Sequence, residues 1–324
     1  MANPPRILVP CMDWTRPAGG VRKIYRQVDV LNAAGIEAIV MHQQQGFRCT
    51  WFENQTRVAS YEQVEPRAGD LFMVPEILAW QFVPLWPGMP KIIFSQNAYQ
   101  TFSWRTPEHN VNPYTHPDFK AVIVVSEDSR AYLNYTFPNL TVFRIRYSID
   151  PTTFYFSSEK KRQIVYMPRK RERDAVQVVG LLKCRGLLNG WEIIKVDGKS
   201  EVETAHILRE SAIFLSLSAQ EGWGLPPMEA IACGCVTIGY DGGGGAEFMK
   251  EPYATPVESQ DILAYTAAVE RAIREIESKP QAVWERTRAS SRFIHENYSP
   301  QIEAADILAI WNQVFELLPR DTAL

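Results

Sequence analysis

The chain has 324 residues, 46% of them hydrophobic, which is enough for two domain cores of ordinary size. With 34 basic and 37 acidic side chains the formal net charge is −3, which excludes a global electrostatic attraction to nucleic acid. The odd set of Cys11, Cys49, Cys184, Cys233 and Cys235 holds no C-x-x-C pair, which excludes a zinc knuckle and fits reduced thiols.

No stretch approaches ~18 apolar residues, and residues 1–6 lead straight into a short apolar run. The sequence therefore predicts a cytoplasmic protein with neither a signal peptide nor a membrane span; association with the inner membrane face stays open. Residues 6–12 read as a first buried strand, followed by a loop ending in Gly19-Gly20. Apolar positions at Val21, Ile24, Tyr25, Val28, Leu31 and Ala34 predict a helix stopped by Gly35, and residues 36–41 the next strand. Arg22 and Lys23 admit two readings, a phosphate contact or a solvated helix face.

Residues 47–64 carry no clean period and read as a strand with connections. Residues 70–74 are another strand. The segment with Trp80, Phe82 and Trp86 is read as a helix packed on the sheet, in preference to a membrane-facing or lipid-acceptor surface, because glutamate and prolines interrupt it. Residues 91–95 form a strand that leads into Gln96-Asn97 and a polar, aromatic loop to about Asp118, a length that is often functional. His109 and His116 lie in it and read as polar loop residues before substrate contacts. Residues 121–125 are a β-branched strand with Ser126 as helix cap, and 141–145 the last strand of this half.

Residues 157–173 are the one locally basic stretch, around a strand at 164–167. Lys160 to Arg162 read as a solvated surface; Arg169 and Lys170 leave the carboxyl end of that strand, where a parallel sheet puts its ligand. Helices are predicted over 174–182, 202–210, 262–276, 283–298 and from Ser299-Pro300 to Leu317, and a strand over 191–196.

The stretch from Ser218 to Glu247 organises the second half. Ile213 to Leu217 is a short buried strand; Gly222 and Gly224 relax the turn, and Pro226-Pro227 suit the opening of a helix that runs to Gly234. Glu229 then lies near the helix's first turn and Glu221 in the loop facing the same end. Backbone N–H groups and the dipole favour phosphate there. One carboxylate would take both hydroxyls of a ribose, the other the hydroxyls of a sugar. A strand at 236–238, the glycines 242–245 and a helix beginning near Ala246 and Glu247 predict a second strand, glycine-loop, helix unit. Two such units imply a parallel sheet with a ligand at its carboxyl edge.

Glu221-Gly-Trp-Gly-Leu-Pro-Pro-Met-Glu229 resembles the E-x7-E motif of retaining glycosyltransferases of family 4. The resemblance implies a GT-B fold, two Rossmann-like α/β domains with parallel sheets: residues 1–150 for the acceptor and 151–324 for a nucleotide-sugar, with the last helix (about 300–318) a candidate to return to the first domain. It implies that Glu229 holds the donor ribose, that Glu221 contacts the transferred sugar, and that Gly222, Gly224, Leu225, Gly244, Gly245 and Glu247 surround sugar and diphosphate, with Trp223 on the substrate side. The Gly19-Gly20 loop is similar to the family's N-terminal glycine loop. Gln96 and Asn97 stand where the family commonly has a histidine that contacts the sugar; they are expected to bind substrate, either being able to hydrogen-bond a sugar hydroxyl, but neither is a useful base, so a histidine role is not carried over. Tyr147-Ser-Ile-Asp-Pro151, with Phe154 beyond, resembles the family's N-G-V-D-x-x-x-F signature with Tyr-Ser for Asn-Gly.

Arg169 or Lys170 would take the diphosphate, though their adjacency departs from the usual wider spacing, which leaves Arg173 a third candidate. No Asp-x-Asp occurs, and no metal or other cofactor is expected. The implied partners are a nucleotide-sugar and a glycan or lipid-linked saccharide in cell-envelope or capsular polysaccharide synthesis. A sugar-nucleotide epimerase of the same fold and a non-catalytic nucleotide-sugar scaffold are the rival readings.

Overall fold

The computed structural model describes residues 5–103 and 111–318 and divides the chain into two compact units, Met1–Arg146 with Glu303–Leu324, and Tyr147–Ile302. The first unit holds one parallel sheet of β1 (Ile7–Pro10), β2 (Ala38–His42), β3 (Val58–Ser60), β4 (Leu71–Pro75), β5 (Lys91–Ser95), β6 (Phe119–Val124) and β7 (Val142–Arg144), in the order β3-β2-β1-β4-β5-β6-β7. Every residue of β1, β2, β4 and β5 is buried, which is why these strands read as unbroken apolar runs and not as alternating ones. Helix α1 (Gly19–Ala33) buries the stripe Val21, Ile24, Tyr25, Val28 and Leu31. The segment after β4 makes only a single turn, α2 (Ala79–Phe82). Trp80 and Phe82 are buried and the Trp86 ring stacks on Phe72 at 4.7 Å, so these aromatics serve the core. Ser126 caps α3 (Glu127–Thr136) by accepting the Ser129 N–H at 3.1 Å.

The second unit's sheet, also parallel, has the order β12-β11-β10-β8-β9, from β8 (Lys161–Tyr166), β9 (Glu192–Lys195), β10 (Ser211–Glu221), β11 (Val236–Gly243) and β12 (Thr255–Pro256). Its helices are α4 (Glu172–Cys184), α5 (Glu201–Glu210), α6 (Leu225–Ala232), α7 (Ile262–Ser278) and α8 (Pro280–Asn297). Ile164, Ile213, Leu215 and Ile238 from the strands meet Val178 and Leu182 of α4 and Val269 and Ile273 of α7 in one core. A capping box between Ser200 and Glu203 starts α5.

The final helix, α9 (Pro300–Glu316), groups from Glu303 onward with the first unit. There Lys23 is 5% exposed with its ammonium 2.7 Å from Glu303, Trp311 donates to Gln27 Oε1 at 3.3 Å, and the Arg146 fork grips Asp306 at 2.7 and 2.8 Å. Lys23 is thus neither a phosphate contact nor a solvated residue. A buried ammonium needs a buried counter-charge, and α9 brings one.

Two more expectations are corrected. Lys160, expected on a solvated surface, donates to Leu208 O at 3.1 Å and Cys233 O at 2.8 Å, closing the carboxyl ends of α5 and α6, and burial pulls its ammonium below the ordinary lysine range. The helix expected near Ala246 is one 3-10 turn, Gly244–Glu247, and the next helix starts at Ile262. Gly243 offers no capping side chain, and Pro252 leaves too few residues to repay nucleation.

Both sheets have a switch point, where successive strands begin to add on opposite sides: between β1 and β4 in the first unit, between β8 and β10 in the second.

Candidate active site

At the second unit's switch point two adjacent cations behave differently. Lys170 reaches from the loop after β8 to the end of β10, with Nζ 2.8 Å from Glu221 Oε1 and donating to Ala219 O at 2.7 Å. Arg169 is exposed and has no hydrogen bond or ion pair with any described residue. Arg171 turns back to Asp174 at 3.6 Å and lies over the Tyr240 ring, while Arg173 is exposed. Two guanidinium groups, Arg169 and Arg173, are thus exposed to solvent, and one ammonium is tied to a carboxylate.

Beyond Glu221, Gly224 takes a left-handed conformation (φ +91°) that a side chain would strain, and so turns the chain into α6. Pro226 and Pro227 lack N–H groups, which leaves Gly224 and Leu225 as the donors of that end. No acidic residue stands in the first turn to neutralise the dipole. Glu229 is the fifth residue of α6 and half-buried. The anion-binding capacity is therefore concentrated on two backbone donors.

The second glycine loop packs backbone to backbone on the first. A Cβ on Gly244 would fall inside the van der Waals surface of the Gly222 carbonyl and lie 2.8 Å from Trp223 N; one on Gly242 would lie 2.7 Å from Ser218 Cβ. Glu221 pairs in register with Gly243, and Asp241 Oδ1 accepts the Gly243 N–H at 2.8 Å. Gly222, Gly224, Leu225, Gly244, Gly245 and Glu247 thus belong to one loop pair at the carboxyl ends of β10 and β11. Trp223 stands otherwise than expected. Its ring is 3% exposed among Tyr147, Phe248 and Tyr298, and its N–H donates to Met228 Sδ at 3.0 Å, so it fixes the loop from beneath and presents no face to substrate.

In the first unit Gly19 and Gly20 open α1, and Gln96 Nε2 donates to Gly20 O at 3.1 Å; a Cβ on Gly20 would crowd the same amide. Asn97 Oδ1 caps a short turn through the Tyr99 N–H, while its own N–H goes to Glu76 Oε1 at 3.1 Å. His109 lies outside the described residues. His116 Nδ1 accepts the Asp118 N–H at 3.2 Å and so shapes a turn.

Sequence reasoning missed Glu76. Burial pushes its carboxyl up to about 7, against the pull of backbone N–H donors at Gln96 and Asn97. The available signal was a lone carboxylate directly after the apolar run of β4, at a sheet switch point. It also missed His42, buried between Asp13 and the Tyr25 hydroxyl.

Two parallel α/β units with switch-point crevices, and a strand, glycine-loop, helix passage carrying Glu221 and Glu229, are the features that comparison with known proteins bears on. Residues 185–288 match the family model described as Glycosyl transferases group 1. This group 1 segment contains β10, α6, β11 and both glycine loops, but neither Arg169 nor Lys170. An alpha-1,6-glucosyltransferase from Actinobacillus pleuropneumoniae is 24% identical over 195 residues, 56% of each chain, so the match spans little more than half of that relative. Among solved structures, the sucrose-phosphate synthase of Thermosynechococcus elongatus is similar over 97% of this chain and 100% of its own at 14% identity and a TM-score of 0.68. Anabaena HepE, solved with UDP and glucose, is similar over 95% and 99% at 11% identity and a TM-score of 0.70. The fold is GT-B, and residues 185–288, within its second unit, match the group 1 model.

Among the described residues no cluster of three or more His, Cys, Asp or Glu side chains is arranged to hold a metal ion, and no helix is long and apolar enough to cross a membrane.

Proposed function

We propose that the protein is a retaining glycosyltransferase of family 4 that moves a sugar from a nucleotide-sugar donor to a glycan or lipid-linked acceptor, without a metal, in cell-envelope or capsular polysaccharide synthesis. The observation that carries the reading is the pair of carboxylates on the β10–α6 passage, with Lys170 locked to Glu221 and Arg169 left exposed at the same sheet edge. The group 1 segment supports transfer chemistry, and the glucosyltransferase relative and the UDP and glucose of HepE support a UDP-glucose type of donor.

Each group then has a task. Glu229 accepts the ribose hydroxyls. Charge that develops on the departing diphosphate meets the Arg169 guanidinium and the N–H donors of Gly224 and Leu225, which are preorganised and so spare reorganisation in the transition state. Glu221, oriented by Lys170, contacts the sugar being transferred. No side chain here is an evident nucleophile, so the leaving diphosphate assists transfer on the same face of the sugar and configuration is retained. The first unit takes the acceptor, and the work is done in the cytoplasm.

The test is calorimetric titration of UDP, GDP, dTDP, CDP and ADP without added metal, on the wild type, Glu229→Ala and Glu221→Ala. One nucleotide is expected to bind selectively, about tenfold or more weaker in Glu229→Ala, in line with loss of hydrogen bonds to a charged group. Glu221→Ala is expected to lower turnover more than affinity. Unchanged binding and kinetics in both variants would sink the assignment.

A further inference from the structure

The loop between β1 and α1 is held harder than its own composition requires. Asp13 Oδ1 takes the Nδ1–H of His42 at 2.9 Å and Oδ2 takes the Gln44 N–H at 2.7 Å, while buried His42 meets the Tyr25 hydroxyl at 2.7 Å through its other nitrogen. The Tyr25 hydroxyl in turn accepts the Cys49 N–H at 3.2 Å. One residue on, the Trp14 carbonyl accepts the Trp51 indole N–H at 3.1 Å, with Cys49 Sγ at 3.8 Å. Trp14 itself is nevertheless 46% exposed.

An exposed indole forgoes the favourable burial of a large apolar ring, and a slack loop would fold it inward. Here the backbone is fixed on both sides of the Cα, so only the ring's own rotamer remains to be ordered when a ligand binds, which lowers the cost of binding. The loop leaves the carboxyl end of β1 at the first unit's switch point, and the same loop ends in Gly19-Gly20. Around it Thr15, Arg16, Gln43 and Gln44 are exposed and polar, while Pro17 is exposed and Trp51 half-buried beside them. A flat aromatic face in a rim of hydrogen-bonding side chains suits a ring with one C–H face and a hydroxylated edge.

We infer that Trp14 is the stacking platform for a pyranose ring of the acceptor saccharide, held in place by the Asp13–His42–Tyr25 chain and the Trp51 clamp. The inference rests on the transferase reading for the word acceptor, though not for the sugar itself.

The chain has nine tryptophans, and fluorine NMR of the full protein labelled with 5-fluorotryptophan, with the Trp14 resonance assigned through Trp14→Phe, reads the platform directly. The probes are methyl pyranosides and trisaccharides of glucose, galactose, mannose and N-acetylglucosamine, with the acyclic polyol sorbitol and UDP as controls. The Trp14 resonance is expected to shift with at least one pyranose probe and with neither control. Trp14→Ala should weaken that binding about three- to tenfold, and Trp14→Phe should restore part of it. No shift with any pyranose, an equal shift with sorbitol, or a shift with UDP alone would overturn the platform. A separate calorimetric UDP titration keeps the two ideas apart: absent nucleotide binding counts against the transferase and leaves the Trp14 result standing.

Discussion

Gly244→Ala tests whether the two glycine loops work as one body. The added methyl would penetrate the Gly222 carbonyl and lie 2.8 Å from Trp223 N, all backbone atoms that cannot swing aside as a flexible side chain can. Reaching an ordinary C···O separation of ~3.3 Å requires the loops to part by roughly 1 Å. Overpacking of this kind costs about 1–3 kcal/mol, and for a unit of this size each kcal/mol lowers the melting temperature by about 2–4 °C. A displacement of about 1 Å at groups that position a reacting centre costs on the order of a hundredfold in rate. Gly245→Ala is the matched control, since its methyl would meet nothing nearer than 3.6 Å. Scanning calorimetry should therefore show a marked loss of stability for Gly244→Ala and little change for Gly245→Ala. Equal behaviour of the two variants would refute the packing argument.

The cation pair and the buried carboxyl give two further tests. Arg169→Met is expected to weaken UDP binding about tenfold or more, as loss of a charge-assisted contact does, whereas Lys170→Met, which frees Glu221, should lower kcat more than affinity; calorimetry beside single-turnover kinetics separates them, and identical losses of affinity would count against the division of labour. Glu76, pushed up to about 7 from an unfolded 4.5, keeps a proton in the folded state that the unfolded chain releases over that interval. Its contribution to stability is therefore present at low pH and lost as pH rises towards 7, up to ~3 kcal/mol in all. Denaturant unfolding of the wild type should weaken from pH 5 to pH 8 relative to Glu76→Gln, and parallel pH profiles would show the carboxyl to be unstrained.

The sheets were legible because parallel strands buried on both faces announce themselves as apolar runs: residues 213–217 and 236–238 sit inside β10 and β11. Both strands run further than those residues, since Ser218 pairs with Asp241 and Glu221 with Gly243 in the ladder; within it Ser216 donates to Tyr240 O at 2.6 Å. The helix expected after Gly245 failed because glycine and glutamate spacing says nothing about whether enough chain follows to repay nucleation. Lys23 and Lys160 were misread for another reason. A lysine in a polar neighbourhood of the sequence is normally solvated, and only tertiary structure shows that Glu303, or two helix-end carbonyls, await it. The GT-B fold followed from the motif resemblance as much as from periodicity. Within the candidate site the sequence marked Glu221 and Lys170 singly, but the pairing of the two depends on strand register, which no local pattern encodes.

The buried Lys23–Glu303 pair carries a consequence for biosynthesis. Lys23 leaves the ribosome long before Glu303, with all of residues 147–302 made in between, which at ordinary elongation speeds takes on the order of ten seconds. During that interval the first unit lacks Glu303, whose carboxylate lies 2.7 Å from the Lys23 ammonium in the finished fold. The N-terminal portion therefore waits for its last helix, while the second unit, continuous in sequence, has all of its residues as soon as it emerges. Completion of the first unit becomes a late event, since a chain broken off before α9 lacks Glu303, Asp306 and Trp311 and the contacts that they make with Lys23, Arg146 and Gln27.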